Sequence, residues 1–383
     1  MSRDEWIMTI IGLALSLIGL ACGTYFSDRL LWLAARFRKG AVAGLYRSRW
    51  EVGPADANSA ERVVEDFVEI QHRGRSIRGE VFYSPRRDLN YTISGSMRDN
   101  LIYGEWKNKD KGYLGYFLWQ WQPQRKLTGC WMGPDRERRL HSGNWELVRC
   151  EQGSRQSDLY FNERKHRTAL LQFIGRLETT PHRTEKIDSL ELEVLPGVFP
   201  PQAGYVSLEC FEVIKEIPAH RVLDIGTGCG LYALHFAQRG ATVVGVDISQ
   251  ASIQCARHNA NKNRVANVDF VLSDLYDGID ETARFDLICA NLPFTLEKYT
   301  RVVKDSPYHK SLSMKPETLK RFIIESRQWL APGGKVYFTF GSSGDYELVE
   351  TCASLASLKL DTVKVIHQED AGETFLVLSL TPS

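Results

Sequence analysis

From Leu190 to the C-terminus the chain alternates between two textures, and that alternation limits the fold more than any other feature. "HRVLDIG", "ATVVGVD", "VDFVLSD", "FDLICAN" and "GKVYFTF" are apolar runs of strand length. "GLYALHFAQRG", "SQASIQCARHNANKN" and "PETLKRFIIESRQWL" lie between them and are helical in pattern. Strands that are apolar on both faces are buried on both faces, so the alternation prescribes a mostly parallel α/β sheet with helices on each side. The last two strand-like runs, "SLKLDTVKVI" and "ETFLVLSL", have only "HQEDAG" between them. That is too short for a crossover helix, so they pair antiparallel.

Residues 41–150 have a different texture. Eight short aromatic or β-branched runs, from "RSRWEV" to "SGNWELVRC", are separated by polar turns such as "NKDKG" and "GPDRERR". They predict an all-β meander or barrel-like domain. A glycine, one residue and a tryptophan recur at Gly104–Trp106, Gly129–Trp131 and Gly143–Trp145. The indoles either line a ligand cup or fill the interior, and small barrels usually pack solid. Residues 151–189 form a polar connector with one helix near 163–178.

The N-terminal segment 1–40 predicts a membrane contact. Ile7 to Phe26 contains no charged residue over twenty positions, about the length that crosses a hydrocarbon core. Trp6 just before it and Tyr25 near its end sit where interfacial aromatics are enriched, and Arg29, Arg36, Arg38 and Lys39 follow it. The reading is a single-pass transmembrane helix, then an amphipathic helix over 30–40 lying on lipid. Both later domains would then face the cytoplasm from the inner or cytoplasmic-facing membrane. Eight cysteines without a C-x-x-C pair argue against a zinc site or a redox dithiol.

The first strand of the α/β region runs into Gly226-Thr-Gly228-Cys-Gly230, with Asp224 just before. A nicotinamide fingerprint would place its third glycine at 231, which is Leu231. That turn seats a pyrophosphate on a helix N-terminus. An acid inside the turn suits a ligand with an ammonium group instead, as in S-adenosyl-L-methionine, which has an α-amino group, a sulfonium and no phosphate. The next strand ends in Asp247, placed for ribose hydroxyls. The third ends in Asp274, placed for the adenine amino group. The fourth ends in Asn291-Leu292-Pro293-Phe294. Four polar ends in order are hard to produce as solvated surface.

With these residues the sequence resembles class I S-adenosylmethionine-dependent methyltransferases over 190–383. It is similar to the type with an Asn-Pro-Pro-aromatic motif, which includes release-factor glutamine and ribosomal-RNA guanine-N2 enzymes. The resemblance implies a Rossmann-like seven-stranded methyltransferase sheet with a C-terminal antiparallel strand. It also implies a cofactor site of Asp224, Gly226, Gly228, Gly230, Asp247, Asp274 and Asn291, and catalytic roles for Asn291, Pro293 and Phe294. Leu292 stands where the family has a second proline; the carbonyl is kept and the preset φ is lost.

The Asn291 side-chain oxygen and the Leu292 carbonyl could accept from the hydrogens of a planar nitrogen and favour its nucleophilic form. Phe294 could stack on a flat acceptor. No metal is needed. The expected function is a membrane-anchored N-methyltransferase whose acceptor is a protein, an RNA or a small molecule. The competing reading is a membrane-associated sensing protein in which the methyltransferase fold is regulatory. The net charge of +1 neither marks nor excludes a nucleic-acid binder, but the mildly acidic catalytic half, without a basic tract, speaks against a nucleic-acid acceptor.

Overall fold

The computed structural model describes residues 42–51, 63–86, 89–122, 126–134, 140–150, 159–179, 182–204 and 206–383. They belong to two compact units that divide between Glu151 and Gln152.

The first unit is a closed barrel of eight antiparallel strands. These are β1 (Gly44–Glu51), β2 (Val63–Arg73), β3 (Ser76–Tyr83), β4 (Tyr91–Arg98), β5 (Leu101–Asn108), β6 (Leu114–Gln122), β7 (Lys126–Pro134) and β8 (Leu140–Arg149). Each pairs with the next, and β8 returns to β1 with Trp145 opposite Trp50. Alternation sets which side chains point inward: in β6, Gly115, Phe117 and Trp119 are buried while Tyr116 and Leu118 are exposed. The Gly-x-Trp repeat has a packing cause. Trp106 lies opposite Gly115, and Trp131 opposite Gly143. A Cβ on Gly115 would come 2.4 Å from the Trp106 ring, and one on Gly143 would come 2.9 Å from Trp131 Nε1. Each indole therefore occupies volume that a neighbouring strand leaves empty. The indoles also pack on one another, Trp119 edge-on to Trp145 at 4.8 Å and Trp50 edge-on to Trp131 at 5.7 Å. The barrel interior is filled by side chains.

The N-terminal part of the expected fold is corrected. Among the described residues no helix is long and apolar enough to cross a membrane. The longest, Glu163–Thr179, has 17 residues and carries four arginines and lysines, short of the ~20 apolar residues a span needs. The stretches read as a transmembrane helix (7–26) and an amphipathic helix (30–40) lie outside the described residues. The single-pass membrane location and the lipid partner drawn from them are withdrawn.

The second unit begins with α1 (Glu163–Thr179), the hairpin β9 (Arg183–Ile187) and β10 (Leu190–Val194), and α2 (Ser207–Ile214). The sheet follows as β11 (Arg221–Ile225), α3 (Leu231–Gln238), β12 (Thr242–Asp247), α4 (Gln250–Lys262), β13 (Val268–Leu272) and β14 (Phe285–Ala290). It is completed by α5 (Pro316–Trp329), β15 (Leu330–Gly341), α6 (Tyr346–Leu355), β16 (Leu358–Gln368) and β17 (Glu373–Pro382). The seven strands lie in the order β13-β12-β11-β14-β15-β17-β16, with β17 antiparallel to both neighbours. The chain steps outward from β11 through β12 to β13, then crosses to β14 on the other side of β11. That reversal opens a crevice at the carboxyl ends of β11 and β14. Beneath it Val222, Leu287, Cys289, Phe236 and Val377 belong to one buried core.

Candidate functional site

The turn from β11 into α3 is built by backbone that only glycine adopts at low cost. Gly226, Gly228 and Gly230 have φ of 73°, 54° and 93°. The amides of Gly226 and Thr227 donate to the Val246 carbonyl at 2.8 and 2.9 Å, folding the turn over the adjacent strand. A Cβ on Gly230 would approach Ala256 of α4 at 3.3 Å, whereas one on Gly228 would meet nothing closer than 3.9 Å. Packing therefore explains the third glycine, while the second leaves bare backbone facing open space, which is what a closely approaching ligand requires.

Asp224 lies beneath this turn, 2% exposed. Its Oδ2 accepts from Thr227 Oγ1 at 2.7 Å and from the Ala233 amide in the first turn of α3 at 3.2 Å. Burial pushes its carboxyl up to about 7, and the nearby Asp247 adds to the rise. Asp247 closes β12, with Oδ2 accepting from Gly228 N at 3.0 Å and Oδ1 from Ser249 N at 2.8 Å. Its carboxyl is also raised, by burial, against the pull of those two amides. The Ser273 amide donates to the Asp247 carbonyl at 2.9 Å, which brings the end of β13 alongside.

Asp274, next in the chain, points to a different partner. Arg321 of α5 donates from Nη1 to Asp274 Oδ2 at 3.0 Å, from Nη2 to Asp277 Oδ1 at 2.8 Å and from Nε to Glu325 Oε1 at 3.1 Å. The structure thus bonds Asp247 to Gly228 and Asp224 to Thr227 of the same turn, and places Asp274 one strand further out, clamped by an arginine.

Asn291 leaves β14 into the crevice with both ends of its amide held. Its Nδ2 donates to Ser207 Oγ at 2.7 Å, and its Oδ1 accepts from Thr339 Oγ1 at 2.8 Å. Leu292 lies over the glycine turn, 3.0 Å from where a Gly226 Cβ would be. Phe294 is partly exposed and packs at 6.0 Å from the Phe340 ring and edge-on at 5.9 Å to Phe375. Behind it Glu373 is buried, accepting from the amide of Ser343 at 2.9 Å and pairing with His166 Nδ1 at 2.9 Å. His166 thereby ties α1 to the start of β17.

Sequence reasoning missed Ser207, Thr339, Arg321 and the Glu373–His166 pair. Thr339 left a trace, a hydroxyl inside the apolar strand "VYFTF" that is 2% exposed. Ser207 and Arg321 left none, because their partners lie 84 and 47 residues away. Among the described residues no group of three or more His, Cys, Asp or Glu could hold a metal ion.

Residues 218–363 match the family model described as a methyltransferase domain. A candidate protein N5-glutamine methyltransferase of Methanocaldococcus jannaschii is 30% identical over 173 residues, which are 43% of this chain and 83% of that protein. The release factor glutamine methyltransferase of Bacteroides thetaiotaomicron is 34% identical over 169 residues, 41% of this chain and 60% of the enzyme. The chain spans only 31% of the length of a release factor glutamine methyltransferase of Fusobacterium nucleatum, to which it is 31% identical over 109 residues. Among solved structures, a T. thermophilus 16S rRNA N2 G1207 methyltransferase aligns with a TM-score of 0.41 and 21% identity, covering 63% of this chain and 56% of that one. The chain belongs to the class I S-adenosylmethionine-dependent methyltransferases, of the type with an Asn-x-Pro-aromatic turn after the fourth strand of the sheet.

Proposed function

We propose that the protein is an N-methyltransferase acting on a planar nitrogen of a protein, an RNA or a small molecule. The observation that carries this reading is Asn291, whose amide is fixed at both ends at the mouth of the crevice, beside the glycine turn. Gly226, Gly228 and Gly230 would let the cofactor lie against bare backbone, with Asp224 beneath its amino acid end, Asp247 at its ribose and Asp274 at its adenine. When bound, S-adenosyl-L-methionine supplies an electrophilic methyl group on a sulfonium.

Asn291 Oδ1 has two lone pairs and Thr339 uses one. The other can accept from an acceptor N–H, and the Leu292 carbonyl offers a second site that Pro293 holds in an extended backbone. Two acceptors draw electron density toward the nitrogen and hold its lone pair on one line of approach, so orientation supplies much of the rate. Phe294 supports a flat acceptor from the side.

Calorimetry with S-adenosylhomocysteine, together with labelled-methyl transfer into cell extract treated with nuclease or protease, tests this. Asn291→Ala is expected to bind S-adenosylhomocysteine within about twofold of wild type and to lose roughly 10²–10³ in transfer rate. An Asn291→Ala protein with full transfer activity sinks the role given to that amide.

A further inference from the structure

The cations beside the acceptor mouth are far apart in sequence and adjacent in the fold. α1 presents Leu170, Phe173, Ile174 and Leu177 to Val303 and Tyr308, in the segment that follows Phe294. Phe161, just ahead of α1, packs at 4.9 Å on Tyr299 of the short helix Glu297–Thr300. Helix and segment therefore form one apolar-backed body, fastened by His166 to Glu373 next to Phe294.

Its outer surface carries exposed Arg164, Arg167, Lys298, Arg301, Lys304 and Lys310. None of these has an anionic partner among the described residues, and Lys298 lies over the Tyr299 ring. Elsewhere in the unit lysines and arginines are commonly paired, as Lys262 is with Glu191 and Glu193, and Arg239 with Glu216. Residues 163–179 and 297–320 hold ten Lys and Arg against five Asp and Glu, while the remainder of 152–383 holds fifteen against twenty-four. A basic surface set in an acidic unit, next to a site for a flat nitrogen, is complementary to a flexible polyanion that carries flat bases.

We propose that this surface binds the phosphate backbone of a single-stranded nucleic acid and so delivers a base to Asn291. The inference rests on the N-methyltransferase reading and deepens it by naming the acceptor class. A short acidic protein segment is the rival occupant. It offers carboxylates, but it has no reason to match cations spread over both α1 and the 298–310 segment.

The test uses the full chain and four probes: labelled single-stranded RNA and DNA 20-mers of mixed sequence, a polyglutamate peptide, and S-adenosylhomocysteine. Binding constants are measured from low to physiological salt. Each neutralised phosphate contributes about −0.7 to the slope of log K against log salt. The variant Arg164→Gln/Arg167→Gln/Arg301→Gln/Lys304→Gln is therefore expected to flatten the slope by as much as about 3 while binding S-adenosylhomocysteine as wild type does. Arg239→Gln/Arg284→Gln, at the opposite, amino edge of the sheet, is expected to leave the slope unchanged. A preference for RNA or DNA identifies the polymer. An unchanged slope in the fourfold variant, or tighter binding of polyglutamate than of either oligonucleotide, overturns the proposal. Failure of the wild type to bind S-adenosylhomocysteine sinks the methyltransferase reading separately.

Discussion

Asp66 in the barrel and Asp224 in the sheet are both buried, and burial pushes both carboxyls up, to about 6 and about 7. Their surroundings differ. Asp66 accepts on one oxygen from Trp50 Nε1 at 3.1 Å and from Tyr91 OH at 2.9 Å, while its Oδ1 has no hydrogen-bond partner. Trp106 Nε1 and Trp119 Nε1 are likewise buried without partners. Around Asp224 the bonds come from the turn and helix that form the crevice, and its neighbours Asp247 and Asn291 are bonded in their turn. The barrel satisfies volume first and tolerates stranded polar atoms. In the sheet unit His166 Nε2 and Trp329 Nε1 are unpartnered too, but at the carboxyl ends of β11, β12 and β14 the bonds fall on Asp224, Asp247 and Asn291 and fix each of them. The first arrangement stabilises a shape and the second pre-organises a site.

If the barrel rests on volume, Trp119→Ala should give the largest stability loss, about 3–5 kcal/mol in urea unfolding followed by near-ultraviolet circular dichroism. Trp119 is fully buried against Phe117 at 4.1 Å and Trp145, so little can relax into the hole. A loss under about 1 kcal/mol would mean the interior is not filled as described.

Asp224→Asn separates the two arrangements. An amide oxygen can still take the bonds of Thr227 and Ala233, so stability at pH 8 should not fall. If Asp224 faces the cofactor's amino group as proposed, the loss of its charge should lower affinity for S-adenosylhomocysteine by roughly 30-fold, about 2 kcal/mol. Equal affinity by calorimetry would make Asp224 a helix-capping residue alone. Asp66→Asn should shift stability in the same sense, since burial raises both carboxyls. A carboxyl whose folded value is raised loses stability as pH climbs from its ordinary value near 4 through about 6. The variant should match wild type near pH 4 and exceed it by about 3 kcal/mol at pH 8, as read from urea midpoints.

The same contrast explains what the sequence disclosed. Phe117 and Trp119 alternate with Tyr116 and Leu118, so period and turns exposed all eight barrel strands; register added that Gly115 and Gly143 make room for Trp106 and Trp131. Gly226, Gly228 and Gly230 were legible because a strand that ends in alternating glycines has few other uses. The hairpin Arg183–Val194 was missed because its first strand lies in the polar connector and its second in the α/β region, although Leu190, Leu192 and Val194 alternate in the strand manner and are buried. The clamps on Asn291 and Asp274, and the basic surface shared by α1 and 298–310, come from distant segments that only the folded chain brings together. Summed along the chain, those cations disappear into an acidic half, which is why the sequence spoke against nucleic acid.

Thr339→Val gives the smallest effect and tests pre-organisation most directly. Valine keeps the volume of a side chain that is 2% exposed and removes one hydroxyl, so the strand should stay in place. Asn291 then loses the bond that fixes its oxygen and keeps the Ser207 anchor on its nitrogen. One neutral hydrogen bond corresponds to about 1 kcal/mol, roughly a fivefold fall in kcat. The KM for S-adenosyl-L-methionine should not move, since Thr339 touches the acceptor side alone. Added to Asn291→Ala, the substitution should cost nothing more, because the hydroxyl acts only through that amide. An additive double variant would show that Thr339 reaches the acceptor by itself, and the sheet edge would then hold two independent contacts where the bonding describes one.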